Sequence, residues 1–309
     1  MQTAILTPQA AALERIKALV LDGLGSPESR RAYSWALDDF LRWCATEAPG
    51  GFTKATVNAY RSRLEVQGLS AATINIRLSA IRKLALEAAD NGLMPPELAA
   101  GIARVKGAKQ QGTRTGKWLT LDEAERLISA PNPATIKGKR DRALLAVLVG
   151  CGLRRKEAAG LAVEHIQMRD ARWVIVDLIG KGSRVRSVPM PAWTKAAIDA
   201  WIGPTGITTG LIFRAVNKGG RITGESMTAQ SIFEAVRIYG AKIGVPELAP
   251  HDLRRTFAKL AHKGRAALEQ IQLSLGHASI TTTEKYLGVR QDLTDAPCDH
   301  LGLRVEVSP

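Results

Sequence analysis

The segment 251–286, HDLRRTFAKLAHKGRAALEQIQLSLGHASITTTEKY, decides how the rest of the chain is read. Its apolar residues recur at helical spacing, and it gathers His251, Arg254, His277 and Tyr286. His251 and Arg254 stand three apart, so on a helix they share a face and can address one anion together. Gly276 marks a helix end and Ser279 a new N-cap, which carries the phenol of Tyr286 back towards the same point on the next short helix. The stretch reads as a site for a phosphate. The rest of the chain has to bear that out.

Working outward, 309 residues exceed the usual size of one compact domain and predict two, each with its own core. A hydrophobic share of 45% and a charged share of 23% describe an ordinary globular protein. The charge balance is less ordinary: 43 Lys+Arg against 29 Asp+Glu leaves +14, which favours a polyanionic partner, nucleic acid first and an anionic membrane surface second. No 18-residue apolar run and no signal peptide stand out, so the expectation is a cytoplasmic protein with no membrane partner. Cys44, Cys151 and Cys298 have neither metal-ligand spacing nor an even count and read as reduced thiols.

The region 7–103 reads as helical. Ser26-Pro27 is a helix start, followed by a stripe of Tyr33, Leu37, Phe40 and Cys44; a second helix spans 54–67 and is stopped by Gly68. The third begins at Ser70 and buries Ile74, Leu78, Ile81 and Ala85. Arg77, Arg82 and Lys83 fall on its other faces, where they suit either DNA phosphates or plain solvation. Pro95-Pro96 precedes a short helix ending near Gly101. The acid-free segment 102–118, with Lys106, Lys109, Arg114 and Lys117, reads as a flexible basic linker that lets two domains close on a long polyanion.

Beyond it, Thr120-Leu-Asp-Glu123 is a capping box. A longer helix is expected over 139–149, and the turn from Gly150 to Gly152 leads into another with Arg154 at its start. The β-rich run 173–179 and its partner 184–189 flank Gly180-Lys181-Gly182-Ser183 as a hairpin turn, placing Lys181 on a loop. Helices resume over 191–202 and 228–241. After Tyr286, alternation from Leu301 to Val307 signals a terminal strand. GKGS at 180–183 lacks the earlier glycine of a nucleotide loop, since position 176 is Val, and no HExxH or Cys/His ligand pattern appears. Neither a cofactor nor a metal is expected.

Each fragment is weak alone. Together, GLRRKEAAGL, VIVDLIGKGSRVRSVPM, HDLRRTFA and LGHASITTTEKY resemble the tyrosine recombinase, or phage integrase, family across the catalytic domain, and the helical N-terminal region is similar to that family's core-binding domain. The resemblance implies a mainly α protein with a small β-sheet. Residues 1–105 would be a helical, SAM-like core-binding domain, 106–117 a basic linker, and 118–309 an α+β catalytic domain with a C-terminal tail, forming a C-shaped clamp on double-stranded DNA. It implies site-specific cleavage and rejoining through a 3′-phosphotyrosyl link, with a homo-tetramer on two recombination sites. Tyr286 would be the nucleophile, Arg154 and Arg254 the phosphate clamps, and Lys181 the acid for the leaving 5′-oxygen. His251 would be a general acid/base, His277 a hydrogen-bond donor, and Glu157 the counter-charge of Arg154. Tail exchange between protomers is a further implication. The chain departs from the family pattern at Cys151, where Thr is common, at Arg155-Lys156 and at Arg255, where a second His is frequent. A type IB topoisomerase and a catalytically dead DNA-binding regulator are the alternatives.

Overall fold

The computed structural model describes residues 8–47, 51–109, 117–180 and 184–288. They divide into two compact units, within Met1–Thr113 and Arg114–Pro309. The first holds α1 (Pro8–Asp22), α2 (Pro27–Glu47), α3 (Lys54–Val66), α4 (Ala71–Asp90) and α5 (Pro96–Ala103). Local chemistry sets the starts. The hydroxyls of Thr53 and Ser70 accept the N–H groups of Thr56 and Thr73, and Pro96 opens α5 where no amide donor is needed. The predicted stripe of α2 faces inward, joined by Ala36 and Trp43, and Phe40 meets Tyr60 edge-on at 5.1 Å.

Two expectations for this unit need correction. Arg77 does not face solvent: it is 5% exposed, its Nη1 donates to Asp39 Oδ2 at 2.8 Å and to the Tyr60 hydroxyl at 3.2 Å, and its guanidinium lies 4.1 Å from the Trp35 ring. An arginine so enclosed serves the fold and is withdrawn as a DNA contact. Arg82 and Lys83 are half-buried, and Arg82 donates to the carbonyl of Val105. The basic linker also begins later than predicted. α5 runs to Ala103, Val105 is buried, and Asn75 clasps Ala108 through both main-chain groups, at 3.0 and 2.8 Å. With Arg61 donating to the Lys106 carbonyl at 3.1 Å, residues 105–108 are fastened to α3 and α4. Gly107 permits this approach, because a Cβ there would meet Asn75 Oδ1 at 2.5 Å.

The second unit contains α6 (Leu121–Ser129), opened by the predicted Thr120/Glu123 capping box, α7 (Ile136–Gly150) and α8 (Arg155–Ala159). There follow β1 (Ile166–Arg169), β2 (Arg172–Ile179), β3 (Val185–Pro189), α9 (Ala192–Thr205), α10 (Ala229–Lys242), α11 (Pro250–Lys263), α12 (Leu268–Leu275) and α13 (Ile280–Leu287). Every residue of α7 from Ala143 to Gly150 is buried, so this helix forms the centre of the core and packs along α9. The three strands make one antiparallel sheet in the order β1-β2-β3. The β2–β3 hairpin stands where the sequence places it, but β1 is an unpredicted partner of β2. Its two-residue turn, Asp170-Ala171, has φ of 46° and 58°, a conformation usually signalled by Asn-Gly or Asp-Gly and here left to an alanine. Between Ile175 and Leu178 the β2–β3 register shifts, with Asp177 at φ 54°, so the far end of the hairpin is bent by a bulge. No described helix is long and apolar enough to cross a membrane.

Candidate active site

Helices α11, α12 and α13, with the turn between the last two, carry His251 and His277, an arginine pair and the tyrosine. They share a small core of Ala258, Ile271, Leu275 and Leu287, separate from the main one, against which Phe257 and Tyr286 pack. Gly276 ends α12 in the left-handed conformation, at φ 62°, and His277 follows directly. The Ser279 hydroxyl accepts the N–H of Thr281 to start α13, and about two turns later Tyr286 returns to α11. Its ring lies between two imidazoles, 5.4 Å from His251 and 5.3 Å from His277, both at 77°. The phenol donates to the main-chain carbonyl of His251 at 3.3 Å, and His277 Nδ1 pairs with Thr283 Oγ1 at 3.0 Å.

Arg254 is 2% exposed and held by two carbonyls. Its Nη1 donates to Gly152 O at 2.7 Å and its Nη2 to Leu275 O. The first bond requires Gly152, whose φ is +61° and where a Cβ would meet the Phe257 ring at 2.7 Å. Of the five N–H donors of a guanidinium, these carbonyls take two and leave the others for an anion.

The expected partnership of Arg154 with Glu157 is present and larger than foreseen. Glu157 Oε2 accepts the Arg154 main-chain N–H at 2.7 Å and Oε1 accepts Nη1 of the same residue at 2.7 Å. Arg186 on β3 forks onto both oxygens at 2.9 Å, and Arg254 Nη1 stands 4.0 Å from Oε2. One carboxylate thus gathers three guanidinium groups from α8, β3 and α11. Arg186 also donates through Nε to Ser274 O at 2.9 Å, tying the sheet to the end of α12 just before His277. It was missed in the sequence. Its one available signal is alternation: Arg186 shares a strand face with the buried Val188, an odd place for a charge without a partner.

The electrostatics follow from this excess of positive charge. Desolvation pushes His277 down to about 4, assisted by Arg254 and Arg154, and lowers His251, assisted by Arg255 and Arg254. Both imidazoles are therefore neutral near pH 7. Burial raises the Tyr286 phenol, against the opposing pull of Arg254 and Arg255. Burial and the neighbouring Arg154 bring Arg254 down to about 10, where it stays charged at neutral pH. For Glu157, burial pushes the carboxyl up, but hydrogen bonds from Arg186 and Arg154 prevail and its pKa is lowered.

The structure therefore brings together Arg154, Glu157, His251, Arg254, His277 and Tyr286. Lys181 and Arg114 lie outside the described residues, as do Cys298, His300 and the predicted terminal strand at 301–307. Lys106, Lys109 and Lys117 are exposed, and Lys117 pairs with Glu247. Cys44 and Cys151 carry free thiols, with burial raising Cys151 to about 12. Among the described residues no group of three or more His, Cys, Asp or Glu is placed to hold a metal ion.

Comparison with known proteins gives concordant results. The model of the Phage integrase family matches residues 117–292, and that of the Phage integrase N-terminal SAM-like domain matches residues 16–92. A tyrosine recombinase XerC of Myxococcus xanthus is 31% identical over 297 residues, covering 92% of this chain and 95% of the relative. XerC of Pseudomonas fluorescens strain Pf0-1 is 30% identical over 267 residues, with coverage of 84% and 85%. The fold is shared with the XerH site-specific recombinase in its post-cleavage complex with palindromic difH substrate, at a TM-score of 0.67 and 21% identity, covering 86% of this chain and 77% of that one. These relatives give no support to the topoisomerase or regulator alternatives. The chain belongs to the phage integrase family and is a site-specific tyrosine recombinase, an enzyme that transfers DNA strands.

Proposed function

We propose that the site cleaves and rejoins duplex DNA through Tyr286. The observation that carries this reading is the seat of that phenol, flanked by His251 and His277 and within the electrostatic reach of Arg254 and Arg154. The phenolic oxygen attacks the phosphorus of a phosphodiester; the bond to the 5′-oxygen breaks, leaving a 3′-phosphotyrosyl link and a free 5′-hydroxyl. Reversal by another 5′-hydroxyl reseals the strand without an external energy source. To attack, the phenol must exchange the His251 carbonyl for the phosphate. Arg154 and Arg254 hold the non-bridging oxygens, where each preorganised donor is worth roughly 3–4 kcal/mol by analogy with oxyanion holes. His251 serves as general acid/base and His277 as a hydrogen-bond donor, and an arriving phosphate raises both imidazoles from their lowered values. Lys181 protonates the leaving oxygen. In support, Gly180, its neighbour in sequence, packs so closely that a Cβ there would lie 3.4 Å from Arg154 Nη1.

Residues 1–108 then form the core-binding domain, since 106–108 are fastened to it, with a linker up to residue 117 and the catalytic domain over 118–309. Four protomers hold two sites, in the cytoplasm of a bacterium or as part of a mobile element. Exposed Lys106, Lys109 and Lys117 contribute phosphate contacts. The net charge of +14 supports a duplex DNA partner.

A pool of nicked duplexes with randomised flanks, incubated with the whole protein and resolved under denaturing conditions, tests the reading and recovers the target. Covalent adducts enriched for one sequence are expected, and none with Tyr286→Phe. Adduct formation by that variant would assign the nucleophile elsewhere.

A further inference from the structure

Arg255 is one of the positions at which this chain departs from the family pattern, and it lies on the nucleophile. Its Cζ stands 5.0 Å from the centroid of the Tyr286 ring. The His251 and His277 rings already pack against it, both steeply inclined at 77°, so the guanidinium supplies a third wall. Its Nε is buried and has no hydrogen-bond partner among the described residues, so no polar contact of that atom explains the placement. Arg254, by contrast, is committed to Gly152 O and Leu275 O and is held by the backbone.

We propose that Arg255 is a positioning residue for Tyr286, which fixes the ring between the two imidazoles and supplies a constant positive charge that favours phenolate over phenol. A cation on the face of a neutral phenol gains only the ring quadrupole, whereas on a phenolate it gains a full opposite charge. Arg255 therefore works in the direction that nucleophilic attack requires. The charged and titratable groups around Tyr286 are His251, Asp252, Arg254 and Arg255 from α11, His277 from the turn before α13, and Arg154 from the start of α8. Burial is the largest influence against ionisation and the Asp252 carboxylate adds to it, although that carboxylate is engaged by the main-chain N–H of Ala249 at 3.0 Å. Arg154 and Arg254 are the groups that meet phosphate, so their charge is offset when DNA binds. Arg255, on the ring face, retains its effect in the complex.

The inference rests on Tyr286 being the nucleophile. The test is the pH dependence of single-turnover adduct formation on the nicked randomised duplexes, with whole protein carrying Arg255→Met or Arg255→Lys. Met keeps the stem and removes the charge; Lys keeps the charge and loses the plane. For Arg255→Met the alkaline rise in rate should move up by about one pH unit, the low end of the effect of a charge at this range in a site partly open to water. The rate near pH 7 then falls by about tenfold and recovers as pH is raised. Arg255→Lys should restore the midpoint to within a few tenths of a unit. An unmoved midpoint in the Met variant overturns the proposal, as does an equal shift in both variants. Adduct formation by Tyr286→Phe is a separate result and removes the underlying reading of the nucleophile instead. Thermal melting of both variants within a few degrees of the parent shows that the rates are read on folded protein.

Discussion

Glu157→Gln isolates the charge on which the site is built, because the substitution keeps the shape of the side chain and removes only the anion. The Glu157 side chain is 4% exposed and accepts four hydrogen bonds from Arg154 and Arg186, with Arg254 standing 4.0 Å away. In the variant the amide oxygen can still accept, but the NH2 group confronts guanidinium donors, and three cations lose their common counter-charge. Breaking a buried ion pair by removing one partner costs about 3–5 kcal/mol. At roughly 2–4 °C per kcal/mol for a unit of this size, the melting transition of the catalytic unit should fall by roughly 6–20 °C. Scanning calorimetry of the whole chain measures this, and the sign of a second response identifies the cause. Inorganic sulfate or phosphate can take the vacated position, and an anion at ten times its Kd restores about 1.4 kcal/mol. The anion-induced rise in Tm should be larger in the variant than in the parent. The pH dependence follows from the lowered folded-state pKa of Glu157. Its contribution is complete above the ordinary carboxylate pKa and is lost as pH falls through the lower folded value, so the gap between the two proteins should close in acid. A loss of less than about 3 °C, or an equal anion response, would refute the claim that this carboxylate organises the arginines.

Other consequences can be measured separately. With its pKa depressed to about 4, His277 should stay neutral in imidazole NMR titrations through the range in which an ordinary histidine protonates, and Arg254→Met should raise its midpoint. The unfolded chain takes up a proton there near pH 6.5 that the folded one refuses, so this histidine erodes stability as pH falls from about 6.5 towards 4 and has no effect above. Gly276→Ala places a Cβ 2.9 Å from Arg186 Cδ at a φ of +62°. It should lose about 1–2 kcal/mol in a denaturant titration from the left-handed backbone alone, and adduct yield should drop because Arg186 and His277 move with it. Arg77→Ala should lower the melting temperature of the N-terminal unit and leave the salt dependence of DNA binding unchanged. Lys106→Gln should do the reverse, reducing the salt slope by about one.

What the sequence revealed and what it hid differ by a physical property, the distance along the chain to the deciding partner. Thr53, Ser70, Thr120 and Gly276 act on groups three or four residues away, so the helix boundaries they set could be read directly. Arg77 reads as a surface charge because its acceptor, Asp39, is 38 residues distant, and nothing near it in sequence announces a buried pair. Likewise Asn75 reaches 33 residues to Ala108, so the start of the linker looked free when it is fastened. The strand β1 was hidden for the opposite reason: its turn is local but uses an alanine where glycine would have signalled it. In the site itself, the quoted stretch reveals His251, Arg254 and Tyr286 on predictable helices and His277 in the turn between two of them. It cannot reveal that Arg154, Arg186 and Arg254 converge on one carboxylate, since those contacts join α8, β3 and α11. The legible residues are those assigned to the chemistry. The hidden contacts hold them in place, and Glu157→Gln and Arg255→Met bear on opposite ends of that support: the first on the arginines that receive the phosphate, the second on the phenol that attacks it.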